Sequence, residues 1–313
     1  MADVTSGWNI VGSILNAPLH AQNVRMFWSG QAGEQNIDHD FNSQYGLCDV
    51  IWNGIQEANQ YTVDLGMRSS QSQSQHLTIL AYYRSNRSPN GNAASAPMLA
   101  HMGFNSTGVA WMFGQMDMGS SPPNELNDLP DLVVVQAQNN PYPCNELRQT
   151  LYHEYGHTLH YFKTSDAFWG DNIYYSVSDG SYGEDINTSP GNFFALSEGW
   201  ADYVGHTFAF LKYGNNLTDV VEFNEWTLQN VRGNYQQLLE QVPTFFNDFI
   251  PRGLFYDLTD NATDPPADFD QISGFGINNI YSLLNTNMNT IQKFRDSWEE
   301  EHPNANNALL FDH

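Results

Sequence analysis

The stretch Thr150-Leu-Tyr-His-Glu-Tyr-Gly-His-Thr-Leu-His160 contains the pattern His-Glu-x-x-His, which begins at His153 and ends at His157. On an α-helix, positions i and i+4 lie about 40° apart around the axis and one turn apart along it. The two imidazole rings can therefore converge on one metal ion, with Glu154 beside them. Two neutral imidazoles suit Zn²⁺, which in catalytic sites takes three protein ligands and keeps a fourth position for water. The pattern predicts a zinc site that has a carboxylate next to it.

The residues around this pattern predict that it lies on a helix. The preceding segment 131–136 is apolar and β-branched, which is typical of a strand. Asn145 is a good N-cap, and Glu146 favours a first helical turn. Apolar residues then recur at helical spacing, namely Leu147, Leu151, Tyr155, Leu159 and Phe162. We therefore predict a helix over 145–163 with one buried side.

A second stretch, Leu196-Ser-Glu-Gly-Trp-Ala-Asp-Tyr203, predicts another helix. Its Glu lies 41 residues after His157. Ser197 is suited to cap a helix here, and Gly214 is suited to end it. The apolar side chains that follow Ser197 again recur at helical spacing.

This second helix offers the third ligand. Glu198 and Asp202 are i and i+4, so they share a face. We predict that Glu198 binds the metal and that Asp202 accepts the second ring N–H of either His157 or His153. Such contacts fix the tautomer and orientation of a ligand histidine. A bound metal lowers the pKa of a water to about 7, and Glu154 is placed to take its proton.

The order His-Glu-x-x-His and then Glu-x-x-x-Asp resembles the gluzincins, the zinc metallopeptidases that include thermolysin and many aminopeptidases. The residue identities in the two stretches look most like those of a loose set of secreted bacterial zincin-like proteins. The resemblance covers roughly residues 130–212. It implies a zincin fold in which Glu154 is the general base. It also implies that His153, His157 and Glu198 bind the metal and that Asp202 supports one of these ligands.

The chain also departs from related patterns. The gap between the ligand helices is longer than in thermolysin-like enzymes, and no exopeptidase motif of the Gly-Ala-Met-Glu-Asn type is found. A metzincin would need Gly and His where His160 and Lys163 stand. We expect His160 to point to solvent or to lie behind the ligands. Aspartate-type alternatives for the third ligand would come from the gap, at Asp171, Glu184 or Asp185.

Gluzincins commonly stabilise the developing oxyanion with a Tyr or His from the C-terminal half. By that resemblance the candidates are His206, Tyr203, Arg252 and Tyr256. We favour Tyr256 or Arg252, because a residue from another segment can face the open side of the metal.

The remaining pattern predicts an α+β fold with two subdomains, which is also the layout that the resemblance to zincin-like metallopeptidases implies. Residues 1–164 would form a mixed-sheet N-terminal subdomain that ends in the active-site helix. Residues 165–313 would form a mainly helical C-terminal subdomain that carries the third zinc ligand, after an irregular loop over 164–192 that shapes the cleft rim. Further elements are predicted as a helix over 42–63, strands over 24–28, 76–83, 98–102 and 109–113, and helices over 223–231, 235–242, 245–258, 277–284 and 290–300.

Composition limits the partners. The chain has 313 residues, 11 basic and 35 acidic, for a net charge of −24. Such a surface repels nucleic acid and anionic lipid and favours cationic or neutral partners. The peptide or protein substrate that we expect is what the resemblance to the gluzincins implies. No apolar run is long enough to span a membrane. The abrupt polar start over 1–6 and the low charged fraction, 15%, predict a secreted or extracytoplasmic protein at its mature N-terminus.

Two further features leave alternatives open. Cys48 and Cys144 would form a disulfide in an oxidising compartment or remain separate thiols. Acidic residues crowd a segment around Pro265, and hard oxygen ligands at that density suit Ca²⁺, although a solvated loop has the same composition. These residues are Asp257, Asp260, Asp264, Asp268 and Asp270.

These patterns together predict a zinc-dependent peptidase in which a metal-activated water, deprotonated by Glu154, attacks a peptide carbonyl. The alternatives are a zincin-fold binding or surface protein without turnover, and a zinc hydrolase of a non-peptide amide. Glu154, which metal binding does not require, favours an enzyme.

Overall fold

The computed structural model describes residues 9–11, 46–68, 77–84, 92–103, 130–137, 141–178, 189–214, 252–259 and 274–303. The chain forms two compact units. The first comprises Met1–Asn59 with Ser70–Leu151, and the second comprises Gln60–Ser69 with Tyr152–His313. The predicted subdomain boundary after residue 164 stays a prediction.

The described residues mix helix and sheet and are mostly helical, which fits the α+β class at a coarse level. The strands are β1 (Asn9–Val11), β2 (Thr78–Arg84), β3 (Ala93–Ser95) and β4 (Leu132–Ala137). The helices are α1 (Gly46–Asp64), α2 (Cys144–Tyr161), α3 (Asp166–Ser178), α4 (Ser189–Tyr213), α5 (Arg252–Thr259), α6 (Ile277–Leu283) and α7 (Ile291–Glu301).

The strands form one mixed sheet in the order β1-β2-β4-β3. β1 and β4 run parallel to β2, whereas β3 runs antiparallel to β4. The predicted strands over 76–83 and 131–136 are confirmed as β2 and β4. Residues 132–135 of β4 are all buried, as expected of a run of apolar β-branched residues inside a sheet.

The predicted strand over 98–102 is wrong. Met98 adopts a left-handed φ of 53°, and its carbonyl accepts the N–H of Met102, so the chain turns there. The buried carboxylate of Asp131 holds this turn, because it accepts the backbone N–H of His101 as well as that of Thr78 at the start of β2. The strands β1 and β3 were not predicted.

Helix α2 carries the His-Glu-x-x-His pattern, as predicted. It begins at Cys144, and the Pro143 carbonyl accepts the N–H of Leu147, so Asn145 lies inside the helix and is not its N-cap. The predicted apolar stripe is buried at Leu147, Leu151, Tyr155 and Leu159. The apolar stripe therefore predicted the helix correctly, whereas the predicted cap residue did not mark its N-terminus.

The irregular loop predicted over 164–192 is wrong in part, because α3 occupies its first half. Ser165 caps this helix: its hydroxyl accepts the N–H of Phe168 and its carbonyl accepts the N–H of Trp169. Both aromatic side chains are buried. Tertiary packing of these rings stabilises a helix whose Gly, Asn and aromatic residues have low intrinsic propensity.

Helix α4 begins at Ser189, eight residues before the predicted cap Ser197, which lies buried within the helix. It ends at Tyr213, and the predicted terminator Gly214 follows with a φ of +54°. The predicted helices over 42–63, 245–258, 277–284 and 290–300 correspond to α1, α5, α6 and α7.

Several predictions fall outside the described residues. They are the strands over 24–28 and 109–113, the helices over 223–231 and 235–242, Glu184 and Asp185, and Asp260, Asp264, Asp268 and Asp270 of the acidic segment. Cys144 is a free and exposed thiol, and the side chain of Cys48 lies outside the described part. No helix in the described ranges is long and apolar enough to cross a bilayer.

Candidate metal centre

Two glycines allow α2 and α4 to approach closely. A Cβ on Gly156 of α2 would lie 3.0 Å from the Cα of Ala201, and a Cβ on Gly205 of α4 would lie 3.2 Å from the Cα, Cβ and N of His153. The buried indole of Trp200 donates to the Gly156 carbonyl at 3.0 Å. The two helices are therefore held in one register, which brings the acidic face of α4 against the histidines of α2.

His153 lies between two carboxylates of α4. Its Nδ1 is 2.7 Å from Asp202 Oδ1, and its Nε2 is 3.2 Å from Glu198 Oε2. Asp202 is thus the partner of His153, which decides between the two histidines that the sequence left open. A carboxylate on Nδ1 holds the ring proton there and leaves the Nε2 lone pair for a metal.

His157 turns its Nε2 to the other oxygen of the same carboxylate, 3.4 Å from Glu198 Oε1. Its Nδ1 is 3.4 Å from the hydroxyl oxygen of Ser197. The two imidazole rings are nearly perpendicular, at 85°, with their centroids 4.8 Å apart. Both Nε2 atoms therefore converge on Glu198.

His153, His157 and Glu198 form a group whose donor atoms all lie within 4.8 Å of one another and could hold a metal ion. Donors about 2.0–2.2 Å from a tetrahedral zinc ion are separated by roughly 3.3–3.5 Å. The Nε2-to-carboxylate distances of 3.2 and 3.4 Å match this spacing. Two imidazoles and one carboxylate are also the donor set of a catalytic zinc site that keeps one open position. The residues present could therefore hold a metal ion.

Glu154 is buried beside this group and is not one of its three donors. Burial raises the pKa of Glu154, and the nearby His153 and His157 rings oppose the rise only in part. A carboxyl group whose pKa lies above its usual range can both accept and return a proton near neutral pH.

The carboxylates and imidazoles also adjust one another's protonation. Burial lowers the pKa of His153, but attraction to Asp202 and the hydrogen bonds to Asp202 and Glu198 outweigh it, so that pKa lies well above its usual value. Burial raises the pKa of Glu198, but the His157 and His153 rings reverse this and hold it well below its ordinary range. Glu198 is therefore ionised, as a metal ligand must be.

The candidates for the oxyanion stabiliser lie on two helices, α4 and α5. His206 is buried on α4, one turn beyond Asp202. The hydroxyl of Tyr203 donates to Thr259 of α5 at 2.9 Å. Tyr256 is half-buried on α5, and Arg252 begins that helix with its side chain outside the described part. The assignment of Tyr256 or Arg252 stays a prediction.

Some residues that contact the ligands from behind were not predicted from the sequence. Ser197 was predicted to cap a helix. Its position next to Glu198 in the sequence was a sign that it faces α2. Trp169 of α3 packs its ring against His157, with centroids 5.9 Å apart, and nothing in the sequence marks this contact. His160 is fully buried against Phe168 and Trp169, so of its two expected positions the one facing solvent is wrong, and the one behind the ligands stays a prediction.

In the gap between the ligand helices, the structure describes the side chains of Asp171, Tyr174 and Tyr175 on α3. Asp171 is exposed on α3 and is not one of the three donors. Tyr174 is 62% exposed, whereas Tyr175 packs its ring against Phe193 of α4.

Comparisons of this chain with protein-family models, with curated proteins and with solved structures find no match.

Proposed function

We propose that this protein is a zinc-dependent peptidase of the gluzincin type with a zincin fold. The observation that carries the proposal is the arrangement on α2 and α4: two imidazole nitrogens face one carboxylate at 3.2 and 3.4 Å, and Glu154 lies buried beside them. A site that only stored a metal would not need Glu154. A buried extra carboxyl group next to an ion site is what proton transfer to and from a substrate requires.

In this proposal the chain's own residues divide the work. His153, His157 and Glu198 would hold the ion, which supplies a Lewis acid and lowers the pKa of a water. Glu154 would take the proton from the attacking water and return it to the leaving amine, which its raised pKa favours. Asp202 holds the ring of His153 through Nδ1 at 2.7 Å. Tyr256 or Arg252 would donate to the oxyanion.

The same proposal includes the location and the partners. A net charge of −24 suits a secreted enzyme that acts on neutral or cationic peptides, and it disfavours nucleic acid. Calcium binding by the acidic segment around Pro265 remains an additional proposal.

The decisive experiment compares the wild type with Glu154→Gln on a mixed peptide library, with cleavage read by mass spectrometry and metal content measured in both. Glu154→Gln removes the base and keeps the size of the side chain. We expect cleavage by the wild type only, with at least a ~100-fold loss in the variant, and equal zinc in both.

Other outcomes would point to a different function or a different catalytic base. Equal cleavage by both proteins would show that Glu154 is not the base. If the zinc-loaded wild type cleaves no peptide, the peptidase proposal fails, and a panel of non-peptide amides separates an amidohydrolase from a binding protein.

A further inference from the structure

A buried chain of polar contacts links helix α3 to one of the ligand histidines. The side-chain N–H of Asn172 donates to the Ser197 hydroxyl oxygen at 3.3 Å, and that oxygen is 3.4 Å from Nδ1 of His157. All three side chains are buried, with exposures of 7% for Asn172, 0% for Ser197 and 6% for His157. Polar groups at this depth are retained in a fold when they are hydrogen-bonded to one another.

Helix α3 touches His157 a second time through Trp169, which lies one turn before Asn172. The indole ring packs edge-on against the imidazole, at 64° and 5.9 Å between centroids. One face of α3 therefore restricts the orientation of the His157 ring, both by ring packing and by the polar contact through Ser197. The other ligand ring, that of His153, contacts the Asp202 and Glu198 carboxylates of α4.

We propose that Asn172 is a positioning residue for the metal centre: through Ser197 it orients His157 so that Nε2 faces Glu198, and it thereby sets how tightly the centre holds its ion. This inference rests on the metal centre of the proposed function and extends it to α3, a helix that contributes no ligand.

The physical argument concerns the freedom of the Ser197 hydroxyl. A serine within a helix can rotate its hydroxyl to a backbone carbonyl one turn earlier, where it would not face His157. The N–H of Asn172 engages the Ser197 oxygen from the side of α3 and favours the rotamer that also receives Nδ1–H of His157. A neutral hydroxyl is a weaker acceptor than the carboxylate that holds His153, so the His157 contact depends more on placement.

The test measures zinc binding rather than catalysis. The variants are Asn172→Ala, Ser197→Ala and the double variant, with Ser197→Thr as a conservative variant that keeps the hydroxyl. Each is loaded with zinc, and the rate of zinc release to a chromogenic chelator and the dissociation constant are measured. We expect each single alanine variant to bind zinc ~10-fold more weakly, the lower end of the effect of removing a group that supports a ligand.

The expected pattern across variants is specific. Because both alanine changes break one chain of contacts, the double variant should bind zinc no more weakly than Ser197→Ala alone. Asn172→Ala and Asp202→Asn act on different rings, so their effects should add. Ser197→Thr should keep most of the zinc affinity of the wild type. If this variant does not fold, the comparisons of the two double variants with their single variants still test the inference.

Phe168→Leu is the matched control, because it loosens the packing of α3 against Phe193 of α4 without touching the polar chain. The inference is overturned if Phe168→Leu weakens zinc binding as much as Asn172→Ala, if Asn172→Ala leaves zinc binding unchanged, or if its effect adds to that of Ser197→Ala. It is also overturned if the wild type binds no zinc. Zinc binding with the expected pattern but without peptide cleavage would support the inference and reject the peptidase proposal.

Discussion

At the scale of single residues, three carboxyl groups surround two imidazoles, and their contacts distinguish them. Asp202 meets Nδ1 of His153 at 2.7 Å, and Glu198 meets the Nε2 atoms of both rings. Glu154 lies on α2 itself and outside the donor group, and burial raises its pKa. In the proposed function, the same functional group would thus orient a ligand, bind the ion or carry a proton according to the atom that it faces.

His160 predicts a measurable pH dependence of stability. It is fully buried, and neither ring nitrogen has a hydrogen-bond partner among the described residues. Burial, with a smaller contribution from His157, lowers the pKa of His160 from 6.5 to about 3. Between these values the unfolded chain binds a proton that the native state excludes, so this residue lowers the free energy of unfolding as pH falls below 6.5.

The variant His160→Phe should remove this effect and keep an aromatic ring against Phe168 and Trp169. We expect the stability of the variant relative to the wild type to rise by up to about 1.4 kcal/mol for each pH unit below 6.5. Urea unfolding of both proteins at pH 7.5, 6 and 5, with a chelator present, measures the difference. A difference that stays constant with pH would show that His160 does not titrate in this way.

At the scale of elements, the centre depends on the close contact of α2 with α4. Gly205 faces the backbone of His153, which cannot move away as a flexible side chain can. The indole of Trp200 fixes the register of the two helices through the Gly156 carbonyl. A change of a few tenths of an ångström here alters the distances between Glu198 and both rings.

We expect Gly205→Ala to destabilise the protein by about 1–3 kcal/mol, because the added methyl group is forced against His153. Alanine in an ordinary helix interior would instead stabilise it by up to about 1 kcal/mol. The free energy of unfolding by denaturant measures the sign. Zinc binding should weaken in parallel.

Gly54→Ala is the matched control within α1. Its Cβ would lie 2.6 Å from Cδ2 of Leu151, the end of a flexible side chain that can change rotamer. Its cost should therefore be smaller than that of Gly205→Ala. Equal costs would contradict the argument that backbone contact makes Gly205 essential.

At the scale of the whole molecule, the excess of acidic residues governs the response to salt. With 35 acidic and 11 basic residues, the folded chain concentrates a charge of −24 that repels itself. Salt screens exposed charges, with a Debye length that falls from about 30 Å at 0.01 M to about 3 Å at 1 M.

We expect the melting temperature of the chelator-treated protein to rise by several degrees between about 0.02 and 0.5 M NaCl, because screening weakens the self-repulsion. Calorimetry at constant pH measures the shift. Tetramethylammonium chloride is the control, since it screens charge equally and coordinates poorly. A melting temperature that falls with both salts would contradict the expectation, and a rise with NaCl alone would indicate specific cation binding.

Local patterns were sufficient to predict much of the structure. The 3.6-residue recurrence of apolar side chains predicted α2, whose stripe from Leu147 to Leu159 is buried. The apolar run from Leu132 to Val135, with its three β-branched valines, predicted β4, and Gly214 with its left-handed φ follows the end of α4 at Tyr213. The i, i+4 spacing also placed the two histidines together, because helix geometry alone determines which neighbours share a face.

Contacts between segments distant in sequence required the tertiary structure. Spacing in the sequence does not show that Asp202 contacts His153 rather than His157. It also does not show that Trp169 packs against His157 or that Asn172 donates to Ser197. Helix α3 itself forms from residues of low propensity because Phe168 and Trp169 are buried by packing. The sequence by itself determined which residues can bind a metal, since that depends on residue type and local period. Only the tertiary structure decided which group holds each ligand, since that depends on how closely α2, α3 and α4 pack.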